Sequence, residues 1–240
     1  MKQFIWAVCA SFCFLVAPPE AKAMFKDDPW LTKLMSELEY LEEEGEGILE
    51  WDIDLWSGKD LNKYWIKSEG ELHGSEIDHA NIEFVRSHAI TAYWDQQFGL
   101  RHDLSGDGSN TSRNWVSYGF IGTAPYFISV DARVLVGEES SSQMLVELER
   151  EFMLTQEWVL TPELDIILNG RTNERFAEGA GVAEIELSVR LGYEHKGNRK
   201  FQPFIGITAS QLFGTTRSLQ NEGGRSASSV EGMIGIHFWF

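Results

Sequence analysis

Apolar residues recur at every second position along most of this chain, the mark of half-buried β-strands. The pattern is plainest at the end. Ile234, Ile236, Phe238 and Phe240 share one side of an extended strand, and Met233, Gly235, His237 and Trp239 share the other. Tyr126–Gly137 sets Ile128, Val130, Ala132, Val134 and Val136 against Ser129, Asp131 and Arg133. Ile48–Trp56 alternates Leu49, Trp51, Ile53 and Leu55 with Glu50, Asp52 and Asp54. Asn62–Leu72 sets Tyr64, Ile66 and Leu72 against Lys63, Lys67, Glu69 and Glu71. Similar segments span Ile77–Ser87, Ala92–Leu104, Trp115–Ala124, Gln143–Leu154, Trp158–Asn169, Ala183–His195 and Phe201–Ser210. Only Thr32–Leu41 reads two ways. Leu34, Leu38 and Tyr40 oppose Met35, Glu37 and Glu39 as in a strand, while Leu31, Leu34, Leu38 and Leu41 also fit helical spacing.

With the closing stretch the strands number twelve, and their connections sort by length. The long ones, 105–114, 138–142, 170–181 and 214–229, fall on one side, and the short ones, 88–91, 125, 155–157 and 196–200, on the other. A soluble sandwich has no reason to sort its loops this way. Long loops at one end and tight turns at the other, with an even strand count and a terminal aromatic residue, predict a transmembrane antiparallel up-and-down β-barrel. The expected fold is thus all-β, of bacterial outer-membrane type with about 12 strands. In such a barrel the apolar face meets lipid and the polar face lines the interior. The inward acids outnumber Lys63, Lys67, Arg101, Arg133 and Arg190, so the lumen is expected to be wet, rich in cations, or both.

The start of the chain fits export. Met1 to Ala23 has a basic Lys2, an apolar run from Phe4 to Ala17 and a small-x-small site at Ala21-Lys22-Ala23, which reads as a signal peptide. Residues 24–30 follow as a short periplasmic leader, and 31–240 as the barrel. Cys9 and Cys13 both lie in the signal segment, so no disulfide is expected in the mature protein. Removing the segment deletes Lys2, Lys22 and Glu20 and moves the formal charge from −17 to −18. A chain this acidic is not expected to bind nucleic acid, which needs a basic face. The expected surroundings are outer-membrane lipid, with the barrel assembly machinery reading the C-terminal strand.

One hairpin carries a longer motif. Trp56-Ser57-Gly58-Lys59-Asp60-Leu61-Asn62-Lys63-Tyr64-Trp65-Ile66-Lys67-Ser68-Glu69-Gly70-Glu71 resembles the signature hairpin of the copper resistance protein B family of outer-membrane proteins. Further matches are Asp28-Pro29-Trp30-Leu31-Thr32-Lys33, Tyr93-Trp94-Asp95, Gly99-Leu100-Arg101, Ala124-Pro125-Tyr126, Leu154-Thr155-Gln156, Pro203-Phe204-Ile205-Gly206 and the Phe238-Trp239-Phe240 end. The resemblance covers essentially the whole mature chain. It implies an outer-membrane barrel with a role in copper tolerance that binds, sequesters or passes copper ions, in exchange with a periplasmic copper protein. The alternative is a cation-selective or structural barrel without metal specificity. Family members often carry a Met/His-rich leader, the usual candidate for copper binding. Here Met24 to Trp30 stands in that place with one Met and no His, so any copper affinity is expected to be weak and to reside in the barrel.

Copper takes Met and His when reduced, and His with carboxylates when oxidised. Two candidate sets follow. His73 and His79 flank the loop between the third and fourth strands, with Glu76 and Asp78 between them. Met35, Met233 and His237 face the interior on the first and last strands, which become neighbours when the barrel closes. Glu147, Glu149, Glu151, Glu184 and Glu186 read as a hydrated acidic wall that attracts cations. No catalytic constellation is legible: no His sits in a motif with a Ser nucleophile, and Gly106-Asp107-Gly108 lacks the remaining spacing of a calcium loop. Enzyme activity is not expected.

Overall fold

A computed structural model describes residues 28–43, 46–74, 76–105, 112–223 and 226–240. The expected signal segment and most of the expected leader lie outside these residues. The strands are β1 (Leu31–Glu43), β2 (Glu46–Lys59), β3 (Asn62–His73), β4 (Glu76–Ala89), β5 (Trp94–Ser105), β6 (Arg113–Ala124) and β7 (Ile128–Gly137). They continue as β8 (Ser142–Glu149), β9 (Phe152–Met153), β10 (Trp158–Asn169), β11 (Gly181–Tyr193), β12 (Phe201–Leu212) and β13 (Ser228–Trp239). Each pairs antiparallel with its chain neighbours. β13 pairs with β1, Glu37 lying opposite His237 and Leu41 opposite Met233, which closes the sheet. β8 and β9 both pair with β10 and form one stave interrupted at Arg150 and Glu151. The break faces Pro162 of β10, which brings no N–H to the ladder; its carbonyl still accepts from Arg150 at 3.1 Å. The result is a closed barrel of twelve staves.

β1 is a strand along its whole length, so the helical spacing of its leucines is not used. Pairing on both edges, with β2 and β13, supplies the backbone partners that helical spacing alone would not overrule. The closing strand starts at Ser228, five residues before the run that marks it in sequence, because Ser228–Gly232 pairs with Ile207–Gln211. The 214–229 stretch, expected as polar loop, holds a nine-residue helix, α1 (Gly214–Glu222). Its Thr216 hydroxyl and the Gly179 backbone bond one another across the loop end at 2.8 and 3.2 Å. At that end the connections 106–112, 170–180 and 213–227 are long, but 138–141 is as short as 154–157 at the other end and 194–200 there is longer, so the expected sorting by length holds only in part.

The two faces separate as period-two alternation demands. Leu49, Ile66, Phe84, Leu100, Val134, Leu187, Ile205 and Ile234 all stay exposed on the outer wall and form an apolar belt. Trp30, Tyr93, Tyr126, Phe127, Trp158, Phe201 and Phe240 are exposed together at the turn end, a one-sided aromatic girdle. The inner face instead buries Lys67, Asn81, Glu83, Ser87, Gln97, Ser117, Asp131 and Arg133. An inside-out distribution of this kind has no reason to exist in water, where exposed apolar area of this extent drives association. Among the described residues no helix is long and apolar enough to cross a membrane.

Candidate functional site

The lumen is two different places. Along β3–β7 it is filled by side chains. Lys67 Nζ lies 3.1 Å from Asp131 and 3.9 Å from Asp54. Arg133 contacts Glu83 at 2.8 Å, Asp131 at 3.0 Å and Glu69 at 3.8 Å. Arg101 continues the chain to Asp103 at 2.6 Å and Glu69 at 3.6 Å. The Trp115 indole also donates to Asp103 at 2.6 Å, and Ser117 donates to Glu83. Glu83 is 1 % exposed. Buried charges persist only when they have partners, and here Lys67, Glu69, Glu83, Arg101, Asp131 and Arg133 each have two or more. This half is a close-packed, cross-braced wall.

The facing half, β8–β13 with β1 and β2, is open. A cavity of about 590 Å³ is lined by thirteen carboxylates and, among the described residues, by a single guanidinium, that of Arg190. Glu50, Asp52, Glu147 and Asp165 make no ion pair among the described residues. The expected excess of inward acids is therefore gathered in this half, and the close-packed ion pairs in the other. Toward the loop end the cavity shares Glu39, Glu50, Glu69 and Glu71 with a wider one of about 910 Å³ beneath α1 and the β10–β11 loop. Glu178 of that loop lies 2.7 Å from Arg113; burial pushes its carboxyl up from the usual carboxylate range, against the pull of that guanidinium.

The mouth of this cavity holds the first predicted set. β3 and β4 keep register up to Glu71 opposite His79, then shift so that Leu72 faces Ile77. The extra residue is Asp78, a β-bulge at the sheet rim. By strict alternation Asp78 points away from His73. The bulge instead brings carboxylate oxygens of Glu71 and Asp78 and a ring nitrogen of His73 within 4.8 Å of one another. His73 Nδ1 is 3.2 Å and His79 Nδ1 3.4 Å from the two oxygens of Glu71. Glu71 is the member absent from the sequence candidates. Its signal is the Glu71-x-His73 spacing, which puts both on one strand face. The side chain of Glu76, the fourth predicted member, lies outside the described residues.

The second set is not one site. Met35 faces Trp239 and Met233 faces Leu41, six residues apart along β1 and therefore ~20 Å at the strand rise. Met233 is buried with Leu41, Ile48 and Phe204, an apolar cluster in the lumen. All three line the acidic cavity, but only Met35 and His237 are diagonal neighbours across β1 and β13. The seam adjacency was legible; the stagger between the two strands was not.

Residues 31–240 match the family model described as copper resistance protein B precursor (CopB). The chain belongs to the copper resistance protein B family. It is 28 % identical over 207 residues to copper resistance protein B of Escherichia coli, covering 86 % of this chain and 68 % of that protein. To the copper resistance protein B homolog of Pseudomonas syringae pv. tomato (strain ATCC BAA-871 / DC3000) it is 25 % identical over 203 residues, covering 85 % and 67 %. Among solved structures, the NanC porin matches with a TM-score of 0.56 at 13 % identity, over 85 % of this chain and 98 % of that one. The KdgM porin matches at 0.50 and 13 %, over 86 % and 98 %. These structures share the fold. The family relatives support a role in copper resistance.

Proposed function

We propose that this family member is a non-enzymatic outer-membrane barrel that raises copper tolerance by taking Cu(II) at its loop-end rim. Glu71, His73 and Asp78 supply the ligands and His79 stands beside them. The observation that carries this reading is the bulge at Asp78, which gathers a nitrogen and carboxylate oxygens at the mouth of an acidic cavity. Imidazole with carboxylate is a donor set suited to Cu(II) rather than Cu(I), which prefers thioether and thiolate. Donor atoms around one ion at about 2.0–2.2 Å sit ~3–4 Å apart, so modest side-chain rotations close the set. The carboxylates below the rim would then hold or pass the ion by their field. On this reading a periplasmic copper protein takes over at the turn end.

The test is Cu(II) binding to the purified protein in detergent, together with copper sensitivity of a deletion strain carrying each variant. Replacing both His73 and His79 with Ala is expected to lower Cu(II) affinity at least tenfold and to return the strain to the sensitivity of the deletion. Unchanged binding and tolerance remove the rim site. The acidic cavity favours a second reading, a cation-selective barrel without copper specificity, in which deletion alters sensitivity to many cations alike.

A further inference from the structure

The acidic cavity does not run straight to the turn end. Below it lies a smaller cavity of about 80 Å³, and the two share four lining residues, Glu37, Glu149, Arg190 and His237. Arg190 is therefore at the neck between them. Its guanidinium lies 2.9 Å from Glu149 on β8 and 3.5 Å from Glu39 on β1, and it also bonds Glu37 on β1 and Glu163 on β10. β11 and β1 are three staves apart around the wall. To reach β1 the side chain must cross the lumen rather than lie along it.

The neighbouring residues make that crossing possible. Opposite Arg190 on β12 stands Gly206, and the next inward residue of β13 toward the neck is Gly235. Any side chain at Gly235 would collide with the Phe204 ring and the Leu38 carbonyl. Phe204 is laid over Gly235 in this way, and the Arg190 guanidinium sits 5.8 Å from its ring. Two inward glycines and one tilted ring thus clear a lane for a single arginine.

We propose that Arg190 is the gate of a cation path through the barrel, a tethered cation that fills the place of a mobile one, while the carboxylates around it set the selectivity. Four carboxylates from three staves hold it across the neck. Thirteen carboxylates lining the chamber above face this one guanidinium, so the chamber draws cations and repels anions. Passage requires an arriving cation to take over carboxylates from Arg190 while the side chain swings aside. The wall of Lys67 and Arg133 offers no second route, because both side chains are buried and held by ion pairs to Asp131 and Glu83. This holds for small cations in general and does not depend on a copper site at the rim.

The experiment is planar-bilayer conductance of the full chain in potassium chloride, with the reversal potential measured under a salt gradient. Wild-type protein is expected to conduct weakly, with rare openings. Arg190→Ser is expected to raise the conductance at least fivefold and to leave it cation-selective. Glu149→Gln with Glu163→Gln removes two tethers without removing the arginine and is expected to raise open probability to an intermediate level. Native folding is checked by heat-modifiable gel migration, and where Arg190→Ser does not fold the double variant decides. Conductance equal to wild type in a folded variant overturns the proposal. So does a wild type already conducting as freely as Arg190→Ser, or an anion-selective Arg190→Ser.

Discussion

At the scale of single residues, the inner wall is governed by the cost of burying charge. Glu83 has two partners, the Arg133 guanidinium and the Ser117 hydroxyl. Replacing it with Ala leaves Arg133 near Asp131 and Glu69 but strips its closest carboxylate. Removing one partner of a buried pair costs ~3–5 kcal/mol. Glu83→Ala is therefore expected to unfold at distinctly lower temperature or denaturant on heat-modifiability gels, whereas Glu151→Ala, at an exposed position whose one ion pair spans 3.9 Å, is expected to behave as wild type. Equal loss in both would show that the close-packed wall contributes nothing special. His73, His79 and Asp78 were legible as metal-ligand types from composition alone. Glu71 was missed although its spacing puts it on the His73 face, and that Asp78 joins the two was not legible, because it depends on a bulge one residue long.

At the scale of elements, parity decides what each strand tolerates. Val130 and Ile166 face the outer wall, and Ser129 and Thr161 the inner. Arg at mid-membrane on the lipid face costs ~2–4 kcal/mol. Ile166→Arg is expected to abolish assembly, read as loss of the heat-modifiable band, and Val130→Arg, three residues from the girdle residue Phe127, to weaken it less. Ser129→Arg and Thr161→Arg are expected to assemble, because Glu149 lies opposite Ser129 and Thr161 lines the small cavity with Glu149 and Glu151. Damage at both sets alike would mean that the faces are assigned wrongly. Two elements escaped the periodicity. Helix α1 sits in a stretch of Gly, Thr, Ser and Gln with no apolar stripe long enough to announce it, and its anchor is the contact between Thr216 and Gly179. The early start of β13 was hidden because Ser228, Ser229 and Gly232 break the apolar alternation, while pairing with β12 carries the strand through them.

At the scale of the whole molecule, the exposed apolar belt, the girdle of aromatics at the turn end and the closed sheet require a bilayer. The protein is expected in the outer-membrane fraction, resisting extraction by salt and migrating faster on denaturing gels before boiling than after. Recovery as a soluble periplasmic monomer would end that reading. The large-scale features were readable in sequence because they repeat locally. A period of two sorts residues to faces, and that survives without knowing how strands meet, whereas loop length marks the ends only through the long connections 170–180 and 213–227.

What the sequence determined by itself was thus the barrel, its strand count, its lipid-facing set and an acidic inner face, since each follows from residues close together in the chain. Only the tertiary structure decided which charges meet. Arg190 meets Glu37 across 153 positions, Lys67 meets Asp131 across 64 and Arg133 meets Glu83 across 50. Those pairings depend on strand stagger and on the width of the lumen, which only closure of β13 on β1 establishes. The same stagger parted Met35 from Met233 and split the lumen into a braced half and an open one. Alternation tells a side chain which way to face, but not what it will find there.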